Sequence, residues 1–143
     1  NLPDFLDALK GLNIALIEQP LPAGHSSKLP KTDLIICADE GLHNKGDLKE
    51  LWAQGYRAVN VKLDKCGGPI AARDLIRDAK DMGFIIMAGC MVGSSLAMAP
   101  IMTLESLCKV IDLDGALLLA EDIEDGLIYE GSTVHPPSKN LWG

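Results

Sequence analysis

The feature that most constrains this chain is a repeated one: short, continuously apolar runs separated by stretches with helical spacing. "IALIE" (14–18), "LIICA" (34–38), "RAVNVK" (57–62), "FIIMA" (84–88) and "VIDL" (110–113) all lack a regular alternation of apolar and polar residues. Runs of this kind suit strands covered on both faces, and such strands, spaced by helices, form parallel sheets built from βα units. The predicted order is helix 3–11, strand 14–18, an irregular link 20–32, strand 34–38, helix 44–55 and strand 57–62. Helix 69–82, strand 84–88, helix 94–108 and strand 110–113 follow.

Local signals support the helices. Ile70, Leu75, Ile76, Ala79 and Met82 recur near helical spacing, with Pro69 in the first turn and Gly83 as the stop. Leu48, Leu51 and Trp52 share one face of helix 44–55, which ends at Gly55. From about residue 115, "GLIYEG" and "HPP" predict an irregular or short-stranded closing segment with no catalytic pattern of its own. No linker or charge block divides the chain, so one domain is expected. Five parallel strands are too few to close a (β/α)8 barrel, which takes about 250 residues. An open doubly wound sheet and one part of a barrel both stay open.

The chain has 143 residues, 48% of them hydrophobic and 23% charged, enough apolar material for a packed core. Its net charge of -7 argues against nucleic acid, whose phosphates need clustered Lys and Arg, and suits a divalent cation or a cationic substrate. Cys37, Cys66, Cys90 and Cys108 have no CxxC spacing and are expected to be reduced, packed thiols. No apolar run approaches the roughly 20 residues of a membrane span, so no membrane partner is expected and the cytoplasm is the expected location. The chain does not open on Met and is expected to be a piece of something longer.

In parallel α/β folds chemistry collects at the C-terminal ends of strands, and four of the five predicted strands have ionisable residues at that end. Glu18 ends the first, Asp39-Glu40 follow the second, Lys62 and Lys65 the third, and Asp112 and Asp114 stand at the fifth. A buried carboxylate at Glu18 costs several kcal/mol unless compensated. Two carboxylates on adjacent strand ends make part of a hard-cation site, because Mg²⁺ takes oxygen ligands in near-octahedral geometry. One divalent cation shared by Glu18 and Asp39 is therefore expected. A lysine in a partly desolvated, metal-containing site can have its pKa lowered far enough to act as a base near neutral pH.

"IEQPLP", "CADE", "VNVKLDKCGG" and "GFIIMAGCMVGSSLA" occur in an order and at a spacing that resemble the muconate-lactonising-enzyme-like branch of the enolase superfamily. The resemblance implies the C-terminal part of a (β/α)-barrel across residues 1–143, with the capping domain and first barrel strands outside this chain. It implies Glu18 and Asp39 as Mg²⁺ ligands and Lys62 as a catalytic acid/base. "DLDG" resembles the Asp-x-Asp pair of the dipeptide epimerases, which gives Asp112 and Asp114 the substrate's α-ammonium to hold. The activity implied is epimerisation of dipeptides of the L-Ala-D/L-Glu type by abstraction of the proton α to a carboxylate. Lys62 would serve one face and a lysine of the missing N-terminal part the other, so this chain alone is expected to be inactive.

Departures from the family pattern are a short link between Glu18 and Asp39, and Gly93 where other members of the branch carry a glutamate. Alternatives are an N-acylamino acid racemase or muconate cycloisomerase of the same branch, a non-catalytic half-barrel, and a phospho-receiver-like domain. A homo-oligomer also stays open. Cys90 and Met91, just past strand 84–88, are expected to line the substrate pocket. Lys65 reads as a rim charge, Glu40 as a partner of Lys62, Gly67-Gly68 as a turn, and His25, His43 and His135 as solvated loop residues.

Overall fold

The computed structural model describes residues 1–24 and 29–143. Its main sheet has five strands, β1 (Ile17–Glu18), β2 (Ile36–Ala38), β3 (Ala58–Val61), β4 (Ile85–Ala88) and β5 (Val110–Ile111). All neighbours are parallel, and the spatial order is the chain order. That order separates the two architectures left open above. A doubly wound sheet reverses direction at a switch point, as in the receiver-like order 2-1-3-4-5. Strictly sequential parallel strands are what one side of a (β/α)-barrel requires.

The outer face of the sheet carries Ile36, Ala38, Val59, Val61, Ile86 and Ala88, all buried in the main core. Against it pack α2 (Leu48–Gln54), through Leu48 and Leu51, and α4 (Pro69–Asp81), through Ala72, Leu75, Ile76 and Ala79. Each fully buried Leu or Ile contributes about 1.5–3 kcal/mol. The alternate residues Cys37, Ala58 and Met87 form a second, small cluster on the inner face. Burial on both faces is why the strand runs are apolar throughout.

Four expectations need correction. Ile70 is 71% exposed: it sits in the first turn of α4, on the side away from the sheet. Helix 94–108 is an α-helical turn, α5 (Ser95–Met98), followed by a 3-10 helix, Ala99–Leu107. Pro100 is the physical reason, since it has no N–H to donate and its ring crowds the carbonyl four residues back. Strands β1 and β5 are two residues long; they are the first and last strands of the sheet, and within these 143 residues each pairs on one side. A short helix unforeseen in the sequence, α3 (Leu63–Cys66), follows β3, and Gly67 and Gly68 at φ 92° and 100° make the turn into α4 as expected.

At the start, α1 (Leu2–Ala8) is capped by Asn1, whose side chain accepts a hydrogen bond from Asp4 N at 3.1 Å. The closing segment contains a 3-10 turn, Gly115–Leu118, and an antiparallel pair, β6 (Tyr129–Glu130) with β7 (Thr133–Val134). No helix among the described residues is long and apolar enough to cross a membrane.

Candidate active site

The parallel strands bring their C-terminal ends to one rim. Glu18 ends β1, Asp39 follows β2, Lys62 follows β3, Gly89-Cys90-Met91 follow β4 and Asp112 follows β5. Register aligns them, with Glu18 opposite Cys37, Asn60 opposite Met87 and Ala88 opposite Ile111.

Asp39 is the centre of this rim and is 7% exposed. Lys62 Nζ donates to its Oδ2 at 2.7 Å, and Lys65 Nζ donates to its Oδ1 and, at 2.6 Å, to its carbonyl oxygen. Burial pushes the Asp39 carboxyl up, but the hydrogen bonds and charges of the two lysines outweigh it and leave the group below the usual carboxylate range. Lys65 is therefore not a rim charge. It lies three residues beyond Lys62, in the single turn of α3, and holds Asp39 from the other side.

Glu18, at the end of β1, is exposed as a residue while its carboxyl is partly buried, so part of the cost expected for a buried carboxylate remains. Its carboxyl turns inward, where Oε1 accepts from Asn60 Nδ2 at 2.5 Å. Partial burial raises its pKa; the Asn60 hydrogen bond opposes that shift, and the nearby Asp39 carboxylate adds to it through charge and side-chain hydrogen bonding. Glu18 and Asp39 therefore face one another at one end of the sheet. Lys62 is acted on in opposing directions. Burial lowers its pKa, but the Asp39 hydrogen bond and the charges of Asp39, Glu18 and Glu40 more than reverse this, so it is raised. Glu40 is exposed and acts on Lys62 by charge; among the described residues the two form no ion pair.

Two residues without a role in the sequence reading support this arrangement. Gln19 has φ 35°, an uncommon conformation for a residue with a side chain. Its Oε1 accepts from Asp39 N at 2.8 Å and Gly41 N at 3.2 Å, while Nε2 donates to Leu21 O at 2.7 Å. The middle residue of "EQP" thus pins the loop that carries Asp39. Asn60 is 1% exposed, and among the described residues its Oδ1 has no donor. A Cβ at position 89 would stand 2.4 Å from that oxygen, so Gly89 leaves the space Asn60 occupies. Asn60 and Lys62, two apart along β3, point to the same side; that spacing was the available signal for Asn60.

At the other end of the rim, Asp112 and Asp114 are exposed while Leu113 between them is buried. Asp112 N makes the last ladder bond, to Ala88 O at 2.9 Å, and Asp114 opens the 3-10 turn. Among the described residues neither forms an ion pair. Partial burial and the charge of Asp114 raise the Asp112 pKa, and the charge of Lys62 opposes them. Cys90 is half-buried beside these groups, its thiol pushed up by burial and acted on by the charges of Asp112, Asp114 and Lys62. Met91 is 50% exposed next to it. The structure therefore brings Glu18, Asp39 and Lys62 together, with Asp112, Asp114 and Cys90 alongside.

His43 is exposed, its backbone N–H bonded to Asp47, and His135 Nε2 lies 3.2 Å from Glu130. His25 falls outside the described residues. A cavity of about 810 Å³ lies at the opposite, N-terminal end of the strands, between Leu6, Leu34 and Arg57, and no sequence-derived site residue lines it.

As a cation site, the rim offers the right donor type. Glu18 and Asp39 present hard carboxylate oxygens, and the charge of Asp39 acts on Glu18. Among the described residues no three or more His, Cys, Asp or Glu side chains gather as metal ligands. Two carboxylates fill part of a shell of roughly six ligands.

Sequential parallel strands with carboxylates and a lysine converging on their C-terminal rim define part of a (β/α)-barrel. The chain belongs to the enolase C-terminal domain-like family, whose model matches residues 3–140. Over its whole length it is 46% identical to an N-acetyl-D-glutamate racemase of Pseudoalteromonas and covers 46% of that protein. It is 40% identical to the L-Ala-D/L-Glu epimerase of Escherichia coli over 89% of the chain and 40% of the relative. The chain thus spans less than half the length of these curated relatives.

Among solved structures, an enolase family member from Agrobacterium tumefaciens with homology to dipeptide epimerases, holding sodium and L-Ala-L-Glu, superposes with a TM-score of 0.93. It is 47% identical over 100% of this chain and 44% of that one. A dipeptide epimerase of Methylococcus capsulatus, complexed with Mg ion, gives 0.78 at 36% identity, over 90% of this chain and 40% of that one.

Proposed function

We propose that this chain supplies the C-terminal catalytic part of a dipeptide epimerase, with Glu18 and Asp39 as ligands of one Mg²⁺, Lys62 as an acid/base, and Asp112 and Asp114 as the ammonium site. The observation that carries the substrate class is the acidic pair. Among the described residues no lysine or arginine forms an ion pair with either carboxylate, and partial burial, with the charge of Asp114 added to it, raises the Asp112 pKa. Such a pair is relieved by an external cation, and the α-ammonium of a dipeptide is one. The relatives named for L-Ala-D/L-Glu epimerisation and for L-Ala-L-Glu binding support the same class.

The reaction is removal and return of the proton on the carbon α to a carboxylate. A divalent cation bound by Glu18 and Asp39 would stabilise the negative charge that develops on the substrate oxygens. Lys62 takes or returns the proton on one face, and to serve as the base it must release the Asp39 oxygen and lose its proton. Lys65 and Gln19 hold Asp39 in place while Lys62 moves. Asn60 holds Glu18. Cys90 and Met91 line the substrate's approach. The second acid/base and a further ligand come from the part of the relatives' length that these 143 residues do not span.

The test is epimerisation of L-Ala-L-Glu by the complete enzyme in D2O, with deuterium incorporated at the glutamyl Cα only when a divalent cation is supplied. Absence of exchange in a folded, cation-loaded enzyme overturns the proposal. A second reading, an N-acylamino acid racemase, is favoured by the 46% identity to the N-acetyl-D-glutamate racemase. It predicts turnover of N-acetylglutamate in preference to the dipeptide and indifference to loss of Asp112 and Asp114.

A further inference from the structure

The closing segment, which has no catalytic pattern of its own in sequence, reaches back to the acidic pair at one point. Tyr129, on β6, donates its hydroxyl hydrogen to the carbonyl oxygen of Leu113 at 2.7 Å. Leu113 is the buried residue between Asp112 and Asp114, and the sheet ladder has already ended at Asp112 N. The next backbone bond, Leu117 N to Asp114 O at 2.9 Å, belongs to the following 3-10 turn. Within this short passage from strand to turn, the Leu113 carbonyl is held by the tyrosine.

The passage is confined on its other side as well. A Cβ at Gly115 would stand 2.5 Å from Met91 O, 2.9 Å from Met98 Cε and 3.1 Å from Cys90 Sγ. The backbone that carries the acidic pair is thus pressed against the loop after β4 and cannot retreat that way. Tyr129 is itself firmly based. Ser95, with 0% exposure, accepts from Leu127 N at 2.8 Å and donates to Asp122, and Asp122 Oδ1 also accepts from Ser95 N at 2.9 Å and Ile123 N at 2.8 Å. The start of α5 therefore fixes residues 122–127, and these place Tyr129 two residues further on.

We propose that Tyr129 is a positioning residue that sets the spacing and direction of Asp112 and Asp114 through the Leu113 carbonyl, and so tunes affinity for the substrate's α-ammonium. This rests on the dipeptide reading above. Phenylalanine at 129 keeps the ring and its packing and removes the tether, leaving a buried carbonyl without a donor.

The experiment uses the complete, cation-loaded enzyme with L-Ala-L-Glu and compares Tyr129→Phe, Asp112→Asn and the double variant. For Tyr129→Phe the expected result is a roughly fivefold rise in KM with kcat little changed, in the range of one hydrogen bond. In the Asp112→Asn background the same change should have a smaller effect, because both act on one contact. A merely structural role lowers Tm and gives additive effects. Unchanged KM in Tyr129→Phe, or additivity in the double variant, overturns the inference and leaves the dipeptide reading intact. If Asp112→Asn alone leaves dipeptide KM unaltered, both the reading and the inference fail.

Discussion

The two acidic regions of the rim differ in how their charge is met. Asp39, after β2, is nearly buried and held by two lysines, and its pKa falls. Asp112 and Asp114, after β5, stand exposed and among the described residues form no ion pair, and the pKa of Asp112 rises. The same residue type at corresponding strand ends thus has opposite electrostatic fates. Asp39 is held by two lysines of the chain itself, whereas Asp112 and Asp114 have no such partner among the described residues.

The largest effect that sharpens this contrast is at Lys62, which stands between the two regions. Lys62→Ala in the complete enzyme should reduce epimerisation by about 10²–10⁴-fold, the usual contribution of a general acid/base, with the fold kept and Asp39 still held by Lys65. Circular dichroism beside turnover reads this, and retained turnover removes Lys62 from the mechanism.

Next is the interior end. Asp39→Ala leaves two partly buried lysines without their anion and should cost about 3 kcal/mol of stability, measured by denaturant unfolding, together with cation affinity measured by calorimetry. In Asp39→Asn the main causes that raise the Lys62 pKa are removed while burial stays, so that pKa should fall relative to the unsubstituted protein. NMR titration of the lysine side chain reads the shift, and an unchanged value would mean that Asp39 does not control Lys62.

The exposed end gives a smaller effect on turnover. Asp112→Asn and Asp114→Asn should each lower kcat/KM for a dipeptide by about tenfold to a hundredfold, since a charge-assisted hydrogen bond contributes about 1.5–3 kcal/mol. Cation affinity should change little.

The smallest effect is on stability against pH, and its sign differs between the ends. Asp39, with its folded pKa depressed, contributes stability that is present above the unfolded value near 3.9 and is lost as pH falls through the lower folded value. Asp112, with its folded pKa raised, opposes folding when ionised, and that penalty is relieved as pH falls through the folded value. Acid unfolding should therefore flatten in Asp39→Asn, whereas Asp112→Asn should raise Tm slightly at neutral pH. The same sign for both would erase the contrast.

Much of the rim was legible because parallel strands place their last residues together, so polar residues ending apolar runs could be read as one cluster from Glu18, Asp39, Lys62 and Asp112. The five strands themselves were legible as apolar runs, but their spatial order was not, since the runs alone suit a doubly wound sheet as well as a barrel. What sequence could not carry were contacts made across long separations. Gln19 reaches Asp39 across 20 positions, Lys65 reaches it across 26, and Asn60 reaches Glu18 across 42. No local spacing encodes such pairings. The raised pKa of Lys62 belongs here too, because it depends on the proximity of Asp39 and not on burial, which alone would have lowered it. The break of helix 94–108 was visible in Pro100 but was outweighed by the apolar run around it.

The most direct test of the central claim is the substrate preference of the complete, cation-loaded enzyme, followed as deuterium exchange at the glutamyl Cα with L-Ala-L-Glu and with N-acetylglutamate in parallel. The acidic pair predicts faster exchange for the dipeptide, with that advantage lost when Asp112 and Asp114 are both replaced by Asn. Faster exchange of N-acetylglutamate, unaffected by the double replacement, would contradict it.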